Sequence, residues 1–598
     1  MIFFPLLLRP EVLFPIYCFF PLYIVSSSHK SKSSISLPSN KHRKELPVKK
    51  KSILLLVMVL ISQKTPASVT LTESQVQWKT FKHTVNSNFS LQNDTFSTEL
   101  ATHTYKSLIL ENEYLKVTLV PEYGGRILSM IYKPTGHEQL YQNPVGRPYG
   151  PQWDVFYYDW LMVWGGIFPT FPEAEHGKAW CRPWTYTVTS NTEDKISVKM
   201  TFTDNINFNT PSKKMVYGQT NITCHFEVTL EAKTTALKTS VSLVNPDSKA
   251  TSFEYWTNVG ISPGTTPGAT KCDDQTEIVA PFSNVKISDD WREIQNAEQK
   301  VSSNIYQFKN LRWYKNWAND GIAYAWPLES NFWGAINHAN NEAILRISDN
   351  VKTPGLKIWG FGYPQSKGFD PEKNVDYHRP FIELWAGASR EFFTPAQLPA
   401  GATLAFDEHY TPVTGMTSFT HASEHAIIDL STDKASYNGT SDNNVIISCR
   451  YFLTRPSDRV TISLTFKGNS NAVTVHEETR THDSSGAFTI KDTVPVSNLC
   501  DDIDSLEFEL KSQTRSLMKA RLPVQFSNAG TCVTSTTPGI HKQKQLRIRS
   551  AVPGPQKLYT FNGAFIGEAS DRQVPAKTGV FLSVDKKGKC TRFVELRQ

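Results

Sequence analysis

The sequence predicts an all-β protein, and three observations carry that prediction. Short runs of alternating apolar and polar residues recur between turn signals, no long amphipathic helix interrupts them, and aromatic residues make up 12% of the chain. The runs include "KSLILENEYLKVTLVP", "KISVKMTFTDN", "NITCHFEVTLEA" and "ALKTSVSLVNP". Alternation of period two puts one set of side chains on each face of a strand. Many such runs over roughly three hundred residues mean packed antiparallel sheets, a sandwich or a barrel. Large aromatic side chains suit such cores, and their flat faces also suit stacking on sugar rings.

Polar stretches divide the 598 residues into units. "TGMTSFTHASEH" near residue 420 and "SNAGTCVTSTTPGIHKQKQ" near 535 separate a large body at 75–415, a second unit at 424–526 and a small basic one at 545–598. The second unit reads as several short strands in about a hundred residues, the pattern of an immunoglobulin-like sandwich. Ahead of the body, Lys49 to Lys51 precede nine apolar residues from Ile53 to Ile61 and then the small Ala67 and Ser68. That is the order of a secretory signal over 48–68, too short to span a bilayer. Residues 1–47 are then expected to be a non-native extension, with translation starting at Val48 and the product secreted or held at the cell surface.

The net charge of +7 sits in the ends. Residues 1–51 hold nine Lys/Arg against two Asp/Glu, residues 541–598 hold twelve against four, and the body between has eight more acids than bases. Phosphate backbones need a basic face on the working domain, so a nucleic-acid partner is not expected. The eight cysteines show no CxxC spacing and no His-rich tract, so no metal site is expected. Cys449 with Cys500, and Cys532 with Cys590, are candidate bridges in an exported protein.

Five stretches carry residues suited to chemistry. In "VPEYGGRILSMIYKPTGHEQLYQNP" (120–144), Gly124 and Gly125 open a strand, which allows positive φ or close backbone approach and leaves Arg126 free to project. Arg126 either pairs with a carboxylate inside the sheet or hydrogen-bonds a ligand through its fork. The loop "VWGGIFPTFPEAEHGKAWCRPW" (163–184) collects Glu173, Glu175 and His176 among Trp164, Trp180 and Trp184. Acids and an imidazole beside aromatic faces suit sugar chemistry: rings stack on the sugar while the ionisable groups move protons. "SFEYWTNVGISPG" (252–264) offers Asn258 after an aromatic strand, and "GLKIWGFGYPQ" (355–365) is a further aromatic stretch. In "HRPFIELWAGASREFF", Phe381, Glu383 and Trp385 share one strand face. A carboxylate among large aromatics is either partnered or catalytic, because leaving it charged and alone there is costly.

Taken in order, "GGRILSMIYKPTGHEQLYQNP", "GGIFPTFPEAEHG", "YWTNVGISPG", "GLKIWGFG" and "FIELWAGASREFFTPAQLPAGATLAFDEHYTPV" resemble the galactose-mutarotase-like superfamily, related to the aldose 1-epimerases, over about residues 105–415. The resemblance implies a β-supersandwich of two large antiparallel sheets with sugar bound in a concave face. It implies Glu383 as the base. The superfamily's histidine acid has no counterpart in "FEYWTNVG", so His176 or Glu173 stands in as the acid. Arg126 and Asn258 would position hydroxyls or a uronate, with Trp164, Trp180, Trp385 and Glu175 lining the ligand. The last unit, "KLYTFNGAFIGEASDRQVPAKTGVFLSVDKKGKCTRFVELRQ", resembles the C-terminal sorting modules of bacterial secreted proteins, which implies export machinery as a partner. The expected function is an exported carbohydrate-active protein doing acid–base chemistry, with glycan cleavage favoured over epimerisation. A non-catalytic glycan-binding or scaffold protein is the alternative. No cofactor is expected, since two tuned groups suffice for proton transfer.

Overall fold

The computed structural model describes residues 68–84, 99–146, 165–173, 175–207, 217–268, 272–363, 381–438, 444–469, 472–482, 485–499, 503–513 and 515–527, and the backbone of four strands between 556 and 596. Among the described residues, the regular elements are strands apart from the short 3-10 turns Asp289–Trp291, Tyr314–Asn316 and Val496–Asn498 and the helical turn Arg292–Gln295. The Trp164 position and the proposed leader over 48–67 lie outside the described residues.

Two sheets form the body. One has 14 strands; its middle runs Asp320–Ala325, Gly355–Phe361, Ile382–Gly387, Trp256–Thr265, His137–Leu140, Arg126–Tyr132, Leu115–Val120 and Leu100–Glu111. The short strand Gly166–Thr170 pairs with both Trp256–Thr265 and Arg126–Tyr132. The other sheet has 8 strands, including Phe332–Asn337, Glu342–Ser348, Thr403–Thr414, Leu237–Val244 and Thr223–Glu231. Strand Thr223–Glu231 shows why these segments pair face to face. Cys224, Phe226, Val228 and Leu230 are all fully buried between the sheets, while His225, Glu227 and Thr229 alternate on the outer side.

The central strands of the large sheet bury both faces. Ile382, Leu384 and Ala386 enter the inter-sheet core with Val259, Ile261, Leu356 and Ile358. Their neighbours Glu383, Trp385, Trp256, Asn258 and Lys357 point the other way and are also buried. That second face is covered by the 171–184 segment, so a polar set is enclosed on a rigid sheet.

Two further sheets cover 421–527: one of four strands around Ala426–Thr432 and Asn444–Leu453, one of five around Arg459–Gly468 and Ile503–Ser512, with a shared apolar core. Cys449 is a free thiol in that core, which corrects the expected bridge to Cys500. Its side chain points between the two sheets, where burial pushes the thiol up to about 12. A second apolar cluster joins this sandwich to the outer side of the 8-stranded sheet through Phe332, Ile336, Val413, Met416, Ile427 and Phe452. Strands Gln556–Thr560, Phe565–Ala569, Gly579–Val584 and Cys590–Leu596 form a four-stranded sheet of their own.

Candidate functional site

Backbone register assembles the site. In the antiparallel ladders, Gly260 lies opposite Glu383, Asn258 opposite Trp385, and Lys357 opposite Trp385 from the other side. Directly opposed residues share a face, so Asn258, Glu383, Trp385 and Lys357 project together. Phe168 sits opposite Asn258 on the next strand, and Arg126 begins the strand beyond it. The Arg126 guanidinium lies 3.8 Å over the Phe168 ring.

The glycine pair that opens the Arg126 strand fixes the covering loop. Gly124 and Gly125 have φ of +75° and +59°, in the left-handed region. A Cβ at Gly124 would meet the Trp180 carbonyl oxygen at 1.8 Å, and one at Gly125 would meet the Trp184 ring at 2.8 Å. Gly124 N–H donates to the Arg182 carbonyl at 2.8 Å, and Trp184 N–H to the Pro121 carbonyl at 3.0 Å. The turn and the loop are thus clamped backbone to backbone, which holds Trp180 and His176 over the sheet. The His176 ring lies 4.8 Å from the Trp180 ring and 5.4 Å, edge-on, from that of Trp385.

Trp385 connects the imidazole to the carboxyl: its indole N–H donates to Glu383 Oε2 at 3.0 Å. Burial pushes the Glu383 pKa up; Lys357, the Trp385 hydrogen bond, Asn258 and Arg126 pull it back without cancelling the rise. The Asn258 amide lies beside this carboxyl but meets it in no well-formed hydrogen bond, since neither its nitrogen nor its oxygen has a partner of ordinary geometry. Burial, then Lys357 and Arg126, push the His176 imidazole well below 6.5, so it is neutral at neutral pH. Its Nδ1 is buried and unpartnered, as is Trp180 Nε1.

Lys357 was not singled out in the sequence, because a lysine in a strand ordinarily marks a solvated face. Here its ammonium lies 3.8 Å over the Trp385 ring and 4.3 Å over Phe392, and burial lowers its pKa to about 8 against the opposing charges of Glu383 and Glu175. The signal was present in "GLKIWGFG": Lys357 and Trp359 alternate with Leu356 and Ile358, so the lysine shares its face with a large aromatic residue.

Arg126, Asn258, Glu383, Trp385, His176 and Trp180 are therefore brought together. Glu173 is directed elsewhere. It accepts the Tyr217 N–H at 3.0 Å and is acted on by Lys178, Asp204 and Glu254, and burial raises its pKa to about 7. Glu254 in turn accepts the Tyr217 hydroxyl at 2.7 Å and the Trp256 indole N–H at 3.2 Å. Glu175, part-buried with φ +59°, acts through its charge on both Lys357 and Glu254. Among the described residues, no three His, Cys, Asp or Glu side chains converge as a metal site requires.

Fold and site together define a two-sheet β-sandwich with an enclosed set of ionisable and aromatic side chains on one sheet. The chain belongs to the family described as Domain of unknown function (DUF5107), whose model matches residues 85–405, more than half of the sequence. Among solved structures, it is similar to a TPR-domain containing protein from Parabacteroides distasonis, at 17% identity and a TM-score of 0.44, over 59% of this chain and 56% of that one. It is also similar to a galactose mutarotase-like protein from Clostridium acetobutylicum, at 11% identity and a TM-score of 0.35, over 52% of this chain and 96% of that one. A galactose mutarotase related enzyme from Lactobacillus acidophilus matches at 15% identity and a TM-score of 0.34, over 52% and 98%.

Proposed function

We propose that this is an exported carbohydrate-active enzyme that moves protons on a sugar between Glu383 and His176, with glycan cleavage as the favoured outcome. The observation that carries the reading is the Trp385 link: one indole hydrogen-bonds the carboxyl and packs against the imidazole. A carboxyl and an imidazole against one indole support a reading in which one gives and the other takes a proton on a bound sugar.

The electrostatics favour exchanging the roles expected from the sequence. A neutral imidazole is ready to accept a proton, and a carboxyl with a raised pKa is suited to donate one. In glycan cleavage, Glu383 would give its proton to the departing glycosidic oxygen as the C–O bond breaks. His176 would take a proton from the attacking water or from the sugar. Trp180 and Trp385 bound the site with buried aromatic rings, while Arg126 and Asn258 offer unpaired donors for oxygen atoms of the ligand.

The test is a polysaccharide and oligosaccharide panel, run on wild type and Glu383→Gln with product analysis by chromatography and ultraviolet absorbance. New reducing ends or unsaturated ends formed by wild type alone support the proposal. Sugar binding of equal strength in both proteins, with no product from either, would make it a binding protein.

A further inference from the structure

The enclosed face holds two buried cations, and among the described residues neither is in an ion pair. Arg126 is fully buried, with one nitrogen, Nη1, donating to the Gly165 carbonyl. Its Nε and Nη2 are buried and have no acceptor. Lys357 is 4% exposed, and its ammonium lies over the Trp385 and Phe392 rings with no ion pair among the described residues. The two cations lie along one face of the sheet: Arg126 stacks on Phe168, which stands opposite Asn258, itself opposite Trp385, over whose ring Lys357 lies, and both cations act on Glu383 and His176.

The groups facing them do not balance the charge. Arg126 is acted on by Tyr123, Cys181, Glu383 and Tyr105, and burial holds both phenols in the neutral form. Lys357 faces Glu383 and the part-buried Glu175. Among the described residues, Glu383 is the one buried carboxyl that acts on both cations, and one of its oxygens is already engaged by Trp385. The unpaired groups are chiefly donors: the Arg126 fork, Asn258 Nδ2 and Trp180 Nε1. Neutral hydroxyls would satisfy hydrogen bonds here, but they would leave the positive charge uncompensated in a desolvated place. A planar carboxylate matches the free edge of a guanidinium in two parallel hydrogen bonds, and an ammonium adds a point charge.

We infer that the ligand of this site is a carboxylated sugar, a uronate residue alone or within an acidic glycan, whose carboxylate is held by Arg126 and Lys357. This rests on the carbohydrate reading above and names its substrate class.

The experiment is a calorimetric titration of the full chain with glucuronate, galacturonate, mannuronate and their oligomers. Each is compared with its uncharged methyl ester and with a hexose 6-sulfate. At least one uronate should bind about tenfold or more tighter than its own ester, the size expected of a charge-assisted contact. Arg126→Met and Lys357→Met should each bring the acid down to the level of the ester. Arg126→Lys, which keeps the charge and loses the fork, should fall between. The wild-type comparison needs no variant to fold. Esters binding as well as acids overturn the inference, and a sulfate binding better than every uronate overturns the carboxylate assignment. Neutral glycans bound or cleaved without any preference for acid sink this inference alone, whereas no binding or turnover of any sugar sinks the carbohydrate reading with it.

Discussion

Burial moves the proton affinities of both groups assigned to the chemistry most, and Lys357 is the first of the charges that act on each. Its charge lowers the pKa of Glu383 and that of His176. Lys357→Met should therefore raise both, moving the whole pH profile of kcat/KM to the alkaline side; an unmoved profile, measured on any substrate the panel finds, would refute this. On the proposed assignment, the acid limb should track protonation of His176, below 6.5, and the alkaline limb loss of the Glu383 proton, above its ordinary value of 4.5. Glu383 also costs stability. Its folded pKa is raised, so the native state binds the proton more tightly than the unfolded chain, and stability falls as pH rises from 4.5 through the folded value. Glu383→Gln should abolish turnover yet raise Tm at pH 7, and the gain in Tm should vanish in acid, where the wild-type carboxyl is protonated. A Tm that drops at pH 7 would show the charge to be stabilising instead. Glu383 was legible in the sequence because "FIELW" alternates cleanly, whereas its partners on other strands were not. Which residue stands opposite it depends on sheet register, and local pattern does not encode that.

The Gly124–Gly125 turn and the 171–184 loop behave as one element, since the turn has space only where Trp180 and Trp184 leave it. Gly124→Ala meets both a left-handed φ and a backbone oxygen, so it should cost about 2–5 kcal/mol in urea denaturation and lower activity by displacing the loop that carries His176. Gly136, in the Lys-Pro-Thr-Gly hairpin, has φ +72° but nothing within 4 Å of a Cβ. Its alanine variant should cost only the backbone penalty of about 1 kcal/mol, with activity intact. Equal losses at the two positions would separate the turn from the site. The sequence marked this loop as chemical through its crowd of acids and tryptophans, but not which acid faces the sheet. Glu173 and His176 are three residues apart and turn to different neighbours, because the chain passes through a left-handed residue at Glu175 between them. Loops carry no period from which such directions are readable.

The strand alternation and the absence of helical periods made the all-β class legible, because they are local and repeat many times. How the two sandwiches join was not legible, since Phe452 alternates within its strand like any edge or core residue. In the structure Tyr451 and Leu453 enter the core of the second sandwich, while Phe452 enters the cluster shared with Phe332, Val413 and Met416 from the body. That shared core predicts one cooperative unit. All 14 tryptophans lie between residues 78 and 385, so tryptophan fluorescence reports on the body and not on the second sandwich. Phe452→Ala empties part of the joint and should cost about 3 kcal/mol. If the two sandwiches unfold together, the tryptophan-detected midpoint in urea falls by the same free energy as the midpoint followed by far-ultraviolet circular dichroism. A tryptophan transition left in place while the circular dichroism curve splits would show two independent units, and would make the second sandwich a tethered module rather than a buttress of the sheet behind the site.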